Sequence, residues 1–203
     1  RGEKMYKALI FDFDYTLGDS TNGIVLSINH ALEKLGFRAQ DTKTIQRTIG
    51  LSLKDTLFEL TGIQDEETVL IFTQYFKEKA DEVMVDNTRL YEGGLTMLKK
   101  LRDNKILLGI VTTKYHYRME QILEKNNAMS VIDDVKNEKP DPEGLLTAIQ
   151  KLNVSKNQVL YVGDSIVDAK TAQSAGVDFV AVLTGTTERE EFMNYEYVSI
   201  EES

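Results

Sequence analysis

The stretch Ala8-Leu9-Ile10-Phe11-Asp12-Phe13-Asp14-Tyr15-Thr16 decides the fold. Its first four residues are apolar without alternation. A short run that is apolar on both faces reads as a strand buried inside a parallel sheet, not as one with a wetted side. The run stops at two carboxylates spaced two residues apart. Ligands of open α/β folds bind at the carboxyl ends of the strands. Asp12 and Asp14 therefore stand where such a fold does its chemistry.

Three further runs read the same way: Ile106 to Val111, Val159 to Val162, and Phe179 to Leu183. Helical stripes separate them. Leu95, Leu98 and Leu101 share one face, as do Met119, Ile122 and Leu123, and Leu145, Leu146, Ile149 and Leu152. Ala169, Ala172 and Ala175 form a small-residue face with Gly176 placed to stop the helix. Strands alternating with helices predict a doubly wound parallel sheet, a Rossmann-like α/β core. Residues 17–88 break the rhythm. They read as consecutive helices: Ile24, Ile28, Ala31 and Leu32 on one face; Ile45 and Ile49; Leu53, Leu57 and Leu60 behind a Ser52 cap; then Val69, Phe72, Phe76 and Ala80. The expected organisation is a Rossmann-like core from residues 1–16 and 89–203, with an all-helical domain, 17–88, inserted after the first strand.

The residues that follow each strand carry the chemistry. The second run leads into Thr112-Thr113-Lys114, and the third into Gly163-Asp164-Ser165-Ile166-Val167-Asp168. Between them lies Lys139-Pro140-Asp141-Pro142, which holds both prolines of the chain and fixes the start of the next helix. If the strand ends converge, Asp12, Asp14, Asp164 and Asp168 crowd one pocket. Like charges at about 4 Å repel by roughly 4 kcal/mol at an effective dielectric near 20, so the cluster calls for cations. Oxygen ligands alone, in a chain without cysteine, favour a hard ion, Mg²⁺. With Lys139 and the Thr112 hydroxyl, the set suits a phosphoryl group held between a metal and a lysine.

These residues resemble the haloacid dehalogenase-like superfamily, and its phosphoglycolate phosphatase-like members in particular. The match runs in order through Asp-x-Asp-x-Thr at Asp12–Thr16, Thr112, Lys139 and Gly-Asp-x-x-x-Asp at Gly163–Asp168, and covers essentially the whole chain. The resemblance implies that Asp12 is the nucleophile and becomes a phospho-aspartate. Asp14 is then the general acid and base, and Thr112 and Lys139 hold the phosphoryl group. Asp12, the Asp14 backbone carbonyl, Asp164 and Asp168 bind Mg²⁺. Tyr15, Thr16, Thr113 and the cap loop Gly50-Leu51-Ser52 are expected to face the substrate. Tyr15 departs from the family's usual glycine, so the turn is expected to adjust to a side chain. Ala128 to Asn137 is shorter than usual, and a strand is expected near Val131-Ile132. Lys114 reads as a plain loop residue.

The chain of 203 residues is 41% hydrophobic and 28% charged, which is ample for a packed core. Its net charge of −9 argues against nucleic acid and anionic membrane surfaces as partners. No apolar run is long enough for a membrane helix, and Arg1 to Met5 has no signal-peptide character. The expected setting is cytoplasmic and the expected substrate a small phosphorylated metabolite; nothing in the sequence sets an oligomeric state. A dehalogenase is disfavoured by Asp14, where those enzymes carry an aromatic residue. A β-phosphoglucomutase-like transferase is disfavoured by Leu53, where an arginine is usual. A receiver-like phospho-acceptor domain has neither the cap nor a second acid two residues beyond the first.

Overall fold

The computed structural model describes residues 5–136 and 142–203. Lys139 and Pro140 lie in the interval outside them, and so does the expectation placed on Lys139. The chain divides into two compact units, Arg1–Gly18 with Leu90–Ser203, and Asp19–Arg89.

The first unit holds a six-stranded sheet in the order β5-β4-β1-β6-β7-β8. Its strands are β1 (Ala8–Phe11), β4 (Leu107–Val111), β5 (Asp134–Lys136), β6 (Val159–Gly163), β7 (Asp178–Val182) and β8 (Ser199–Glu201). Every pairing is parallel. Helices α5 (Gly94–Asp103), α6 (His116–Lys125), α7 (Pro142–Lys151), α8 (Ile166–Ala175) and the short α9 (Arg189–Phe192) connect the strands. Ala8 and Ile10 of β1 pack with Tyr161, Phe179, Leu145 and Ala172 in one buried cluster, the side covered by α7 and α8. Leu108 and Ile110, one residue out of phase with that side of β4, are buried too. There α5 and α6 bury Leu98, Met119, Ile122 and Leu123. Both faces are covered, which is why these strands read as continuous apolar runs. Gly176 closes α8 at φ 69, a left-handed conformation that glycine adopts without steric cost.

Two edge strands differ from the sequence reading. The strand expected near Val131-Ile132 begins at Asp134, because Val131 turns inward at the end of a 3₁₀ turn, Met129–Val131. Strand β8 was given by no apolar run. Edge strands are short and carry polar residues, which discourages pairing with other chains, and this erases the signal that marks inner ones.

The second unit is helical: α1 (Thr21–Lys34), α2 (Thr42–Gln46), α3 (Leu53–Thr61) and α4 (Glu66–Val83). Helices α1 and α4 form its core through Ile24, Ile28, Ala31, Phe72, Phe76 and Ala80. A Cβ at Gly23 would stand 3.2 Å from the Met84 backbone, so glycine eases the close approach of α1 to the end of α4. Asp41, Ser52 and Asp65 cap α2, α3 and α4 through side-chain oxygens. The strand pair β2 (Gly18–Asp19) and β3 (Arg89–Leu90) forms where the chain passes between units. Among the described residues no helix is long and apolar enough to cross a membrane.

Candidate active site

Sheet order builds the site. Strand β1 lies between β4 and β6, so the residues after β4 and β6 flank Asp12. The Asp12 amide donates to the Val162 carbonyl at 2.8 Å, which extends the β1–β6 ladder one residue beyond the strand. The chain then turns sharply. The amides of Thr16, Leu17 and Gly18 all point at the Phe13 carbonyl, at 3.1, 2.9 and 3.1 Å.

Tyr15 takes φ 61 in this turn. The turn has therefore not adjusted to the side chain; it keeps a left-handed geometry that costs a non-glycine residue roughly 1–2 kcal/mol. Surrounding contacts hold it there. The Tyr15 amide donates to Gly18 at 2.8 Å, and the Thr184 hydroxyl, from the loop after β7, donates to the Tyr15 carbonyl.

Asp12, Asp164 and Asp168 are all buried, and each offers a carboxylate oxygen within 4.8 Å of the others. Each of the latter two is held by named donors. The Thr16 hydroxyl donates to Asp164 Oδ1 at 3.1 Å. Asp168 sits in the first turn of α8 in a reciprocal capping box with Ser165, and its other oxygen accepts from the Tyr161 hydroxyl at 2.8 Å. Two glycines make room. A Cβ at Gly163 would lie 2.6 Å from Asp168 Oδ2, and one at Gly185 would overlap Asp164 Oδ2 and stand 2.8 Å from its Cγ.

The set fits a hard divalent cation. Three carboxylates this close repel by roughly 3 kcal/mol per pair, their donors hold them together instead of apart, and all the ligand atoms are oxygen. The Asp14 side chain does not join them. Its Oδ2 takes an ion pair from Lys114 Nζ at 2.7 Å. Thr112 is buried beside this pair, its hydroxyl accepting from the Lys114 amide at 3.2 Å. Thr113, half-buried, occupies the loop between them and α6. Gly50, Leu51 and Ser52 belong to the helical unit, where the Ser52 hydroxyl is engaged with Asp55 as the cap of α3.

The chain matches the haloacid dehalogenase-like hydrolase family over residues 9–182. It belongs to that family. A haloacid dehalogenase-like protein from Bacteroides fragilis shares 40% identity and superposes with a TM-score of 0.94, over 98% of this chain and 97% of the other. A predicted phosphoglycolate phosphatase from Lactobacillus plantarum is 28% identical, with a TM-score of 0.80 over 97% and 94%. Pyrophosphatase PpaX of Bacillus mycoides is 30% identical over 180 residues, 86% of this chain and 82% of that protein. This family member is a hydrolase of the phosphatase type.

Lys114, Tyr161 and the Thr184-Gly185 loop were not singled out as site residues by the sequence. Tyr161 gave a signal, since a phenol in an otherwise apolar buried run needs a partner for its hydroxyl. Gly185 follows a strand end between two threonines, a weaker hint of close approach.

Proposed function

We propose that this family member is a Mg²⁺-dependent phosphatase that hydrolyses a small phosphorylated metabolite through a phospho-aspartate on Asp12. One observation carries the reading: Asp12 meets Asp164 and Asp168 within 4.8 Å at the carboxyl ends of β1 and β6, with the second acid, Asp14, two residues further along the same turn. Asp12, Asp164, Asp168 and the Asp14 backbone carbonyl would hold Mg²⁺. When bound, that ion would offset the carboxylate charge and stabilise charge developing on the phosphoryl oxygens.

The remaining roles fall to the chain. Asp12 attacks phosphorus. Asp14 gives a proton to the leaving oxygen and later takes one from the hydrolytic water. Thr112 donates its hydroxyl to the phosphoryl group, and Lys139 neutralises it. Tyr15, Thr16 and Thr113 meet the substrate. The names of the relatives favour phosphoglycolate and pyrophosphate as substrates to try first. A cysteine-free chain working on such metabolites suits the cytoplasm.

The test is phosphate release from a panel containing phosphoglycolate, pyrophosphate, sugar phosphates and nucleotides, with Mg²⁺ and after chelation. Turnover that needs Mg²⁺ is expected. Full turnover after exhaustive chelation would overturn the metal assignment, and no turnover of any member would overturn the phosphatase reading.

A further inference from the structure

The two carboxylate oxygens of Asp14 have unlike surroundings. Oδ2 accepts from Lys114 Nζ at 2.7 Å, in a pair whose side chains are only 6% and 7% exposed. Oδ1 is buried and, among the described residues, meets no hydrogen-bond partner. An unsatisfied buried acceptor costs about 1–3 kcal/mol, so it persists where something else arrives to use it. Lys114 is itself fixed: its amide is tied to the Thr112 hydroxyl, at the end of the strand beside β1. The carboxylate is thus gripped by one edge and open at the other.

We infer that Lys114 is a positioning residue, holding Asp14 by Oδ2 so that Oδ1 is the atom that moves protons. The inference rests on the phosphatase reading above. In the first step an Asp12 oxygen bonds to phosphorus as the bond to the leaving group breaks. The electron pair of the broken bond stays on the leaving group's oxygen, which takes the proton from Asp14 Oδ1 and departs as the alcohol. In the second step a water oxygen bonds to phosphorus and the Asp12–phosphorus bond breaks. The water's proton passes to Asp14 Oδ1, which restores both carboxyl groups and releases inorganic phosphate. A carboxylate without the grip turns freely about its terminal torsion, whose preferences are broad. It then spends its time misaligned for both transfers.

The experiment replaces Lys114 with Met and compares two esters by kcat/KM, which reports the phosphorylation step. One is an alkyl phosphate, whose leaving oxygen must be protonated. The other is 2,4-dinitrophenyl phosphate, whose leaving group departs as a stable anion. A loss of roughly 10- to 100-fold is expected on the alkyl ester, with about threefold or less on the dinitrophenyl ester. Lys114→Arg keeps a cation within reach and should recover part of the alkyl rate. It also carries the comparison if the methionine variant does not fold, since its remaining loss must fall on the alkyl ester alone. Equal losses on both esters would overturn the inference and make Lys114 a binding or charge-balancing group. Absence of turnover of either ester by the unaltered protein would instead overturn the phosphatase reading.

Discussion

Gly185→Ala isolates how the loop after β7 sets the position of Asp164. Gly185 does not use a positive φ, so alanine can adopt its backbone and any effect must come from the methyl group. That methyl would overlap Asp164 Oδ2 and crowd its Cγ at 2.8 Å and its Cβ at 3.1 Å. The overlap involves a short side chain already held on its far side by Thr16 at 3.1 Å, so Asp164 has to turn and leave that hydrogen bond. A hydrogen bond to a charged group contributes about 1.5–3 kcal/mol. At 1.4 kcal/mol per factor of ten, Mg²⁺ affinity should fall roughly 10- to 100-fold, the range typical when a group supporting a metal ligand is lost. Calorimetric titration with Mg²⁺ reads this without turnover, and circular dichroism checks the fold. Gly36→Ala is the control: Gly36 has φ +81, and a Cβ there would meet nothing within 4 Å, so the substitution should lower stability by about 1 kcal/mol and leave Mg²⁺ affinity alone. An unchanged affinity in folded Gly185→Ala would refute the claim that this glycine sets the position of Asp164.

Asp12→Asn should reduce turnover by at least about a thousandfold, as loss of a nucleophile does, while the melting temperature stays within a few degrees; near-normal turnover would remove the covalent step. Tyr161→Phe leaves Asp168 Oδ1 without its 2.8 Å donor and should weaken Mg²⁺ binding by about tenfold, seen in the same titration. The caps Asp41 and Asp65 add a pH dependence. Hydrogen bonds from the Thr44 side chain and the Thr68 amide, respectively, hold their carboxyls below the ordinary 3.8. Their folded values are depressed, so their contribution is complete above the ordinary value and disappears as pH falls through the depressed one. Asparagine caps as well but does not titrate. Replacing both with Asn should therefore flatten part of the acid limb of a melting-temperature profile below about pH 4, and an unaltered limb would count against the caps.

The inner strands were legible because burial on both faces leaves an uninterrupted apolar run: Ala8–Phe11 is read directly, and the runs at Ile106 and Phe179 miss β4 and β7 by a single residue. The edge strands were not, since Asp134–Lys136 has one apolar residue and Ser199–Glu201 has one. In the site, the meeting of Asp12 with Asp164 and Asp168 could be foreseen because each follows a buried strand. Lys114 could not be placed the same way. A lysine just past a strand end reads equally well as solvated surface, and only the neighbour it reaches, 100 positions away, separates the two. The left-handed Tyr15 was hidden for a related reason: local sterics argue for glycine, and the Thr184 and Gly18 contacts that enforce the turn are set by tertiary structure.

Those placements sort four carboxylates at one sheet end into two groups. Asp14 is matched one-to-one by a lysine, which neutralises it and grips one edge. Among the described residues, Asp164 and Asp168, which converge with Asp12, accept from Thr16, Tyr161 and Ser165, whose hydroxyls orient the carboxylate oxygens. The difference fits what each group would do in the proposed phosphatase. A proton carrier must stay put while its charge alternates, and a buried lysine held on the idle oxygen permits that. On the proposed reading, a metal-ligand set must keep its oxygens converging, which the hydroxyls of Thr16 and Tyr161 support. On that reading Lys114 holds Asp14, while a divalent ion would be held by Asp12, Asp164 and Asp168.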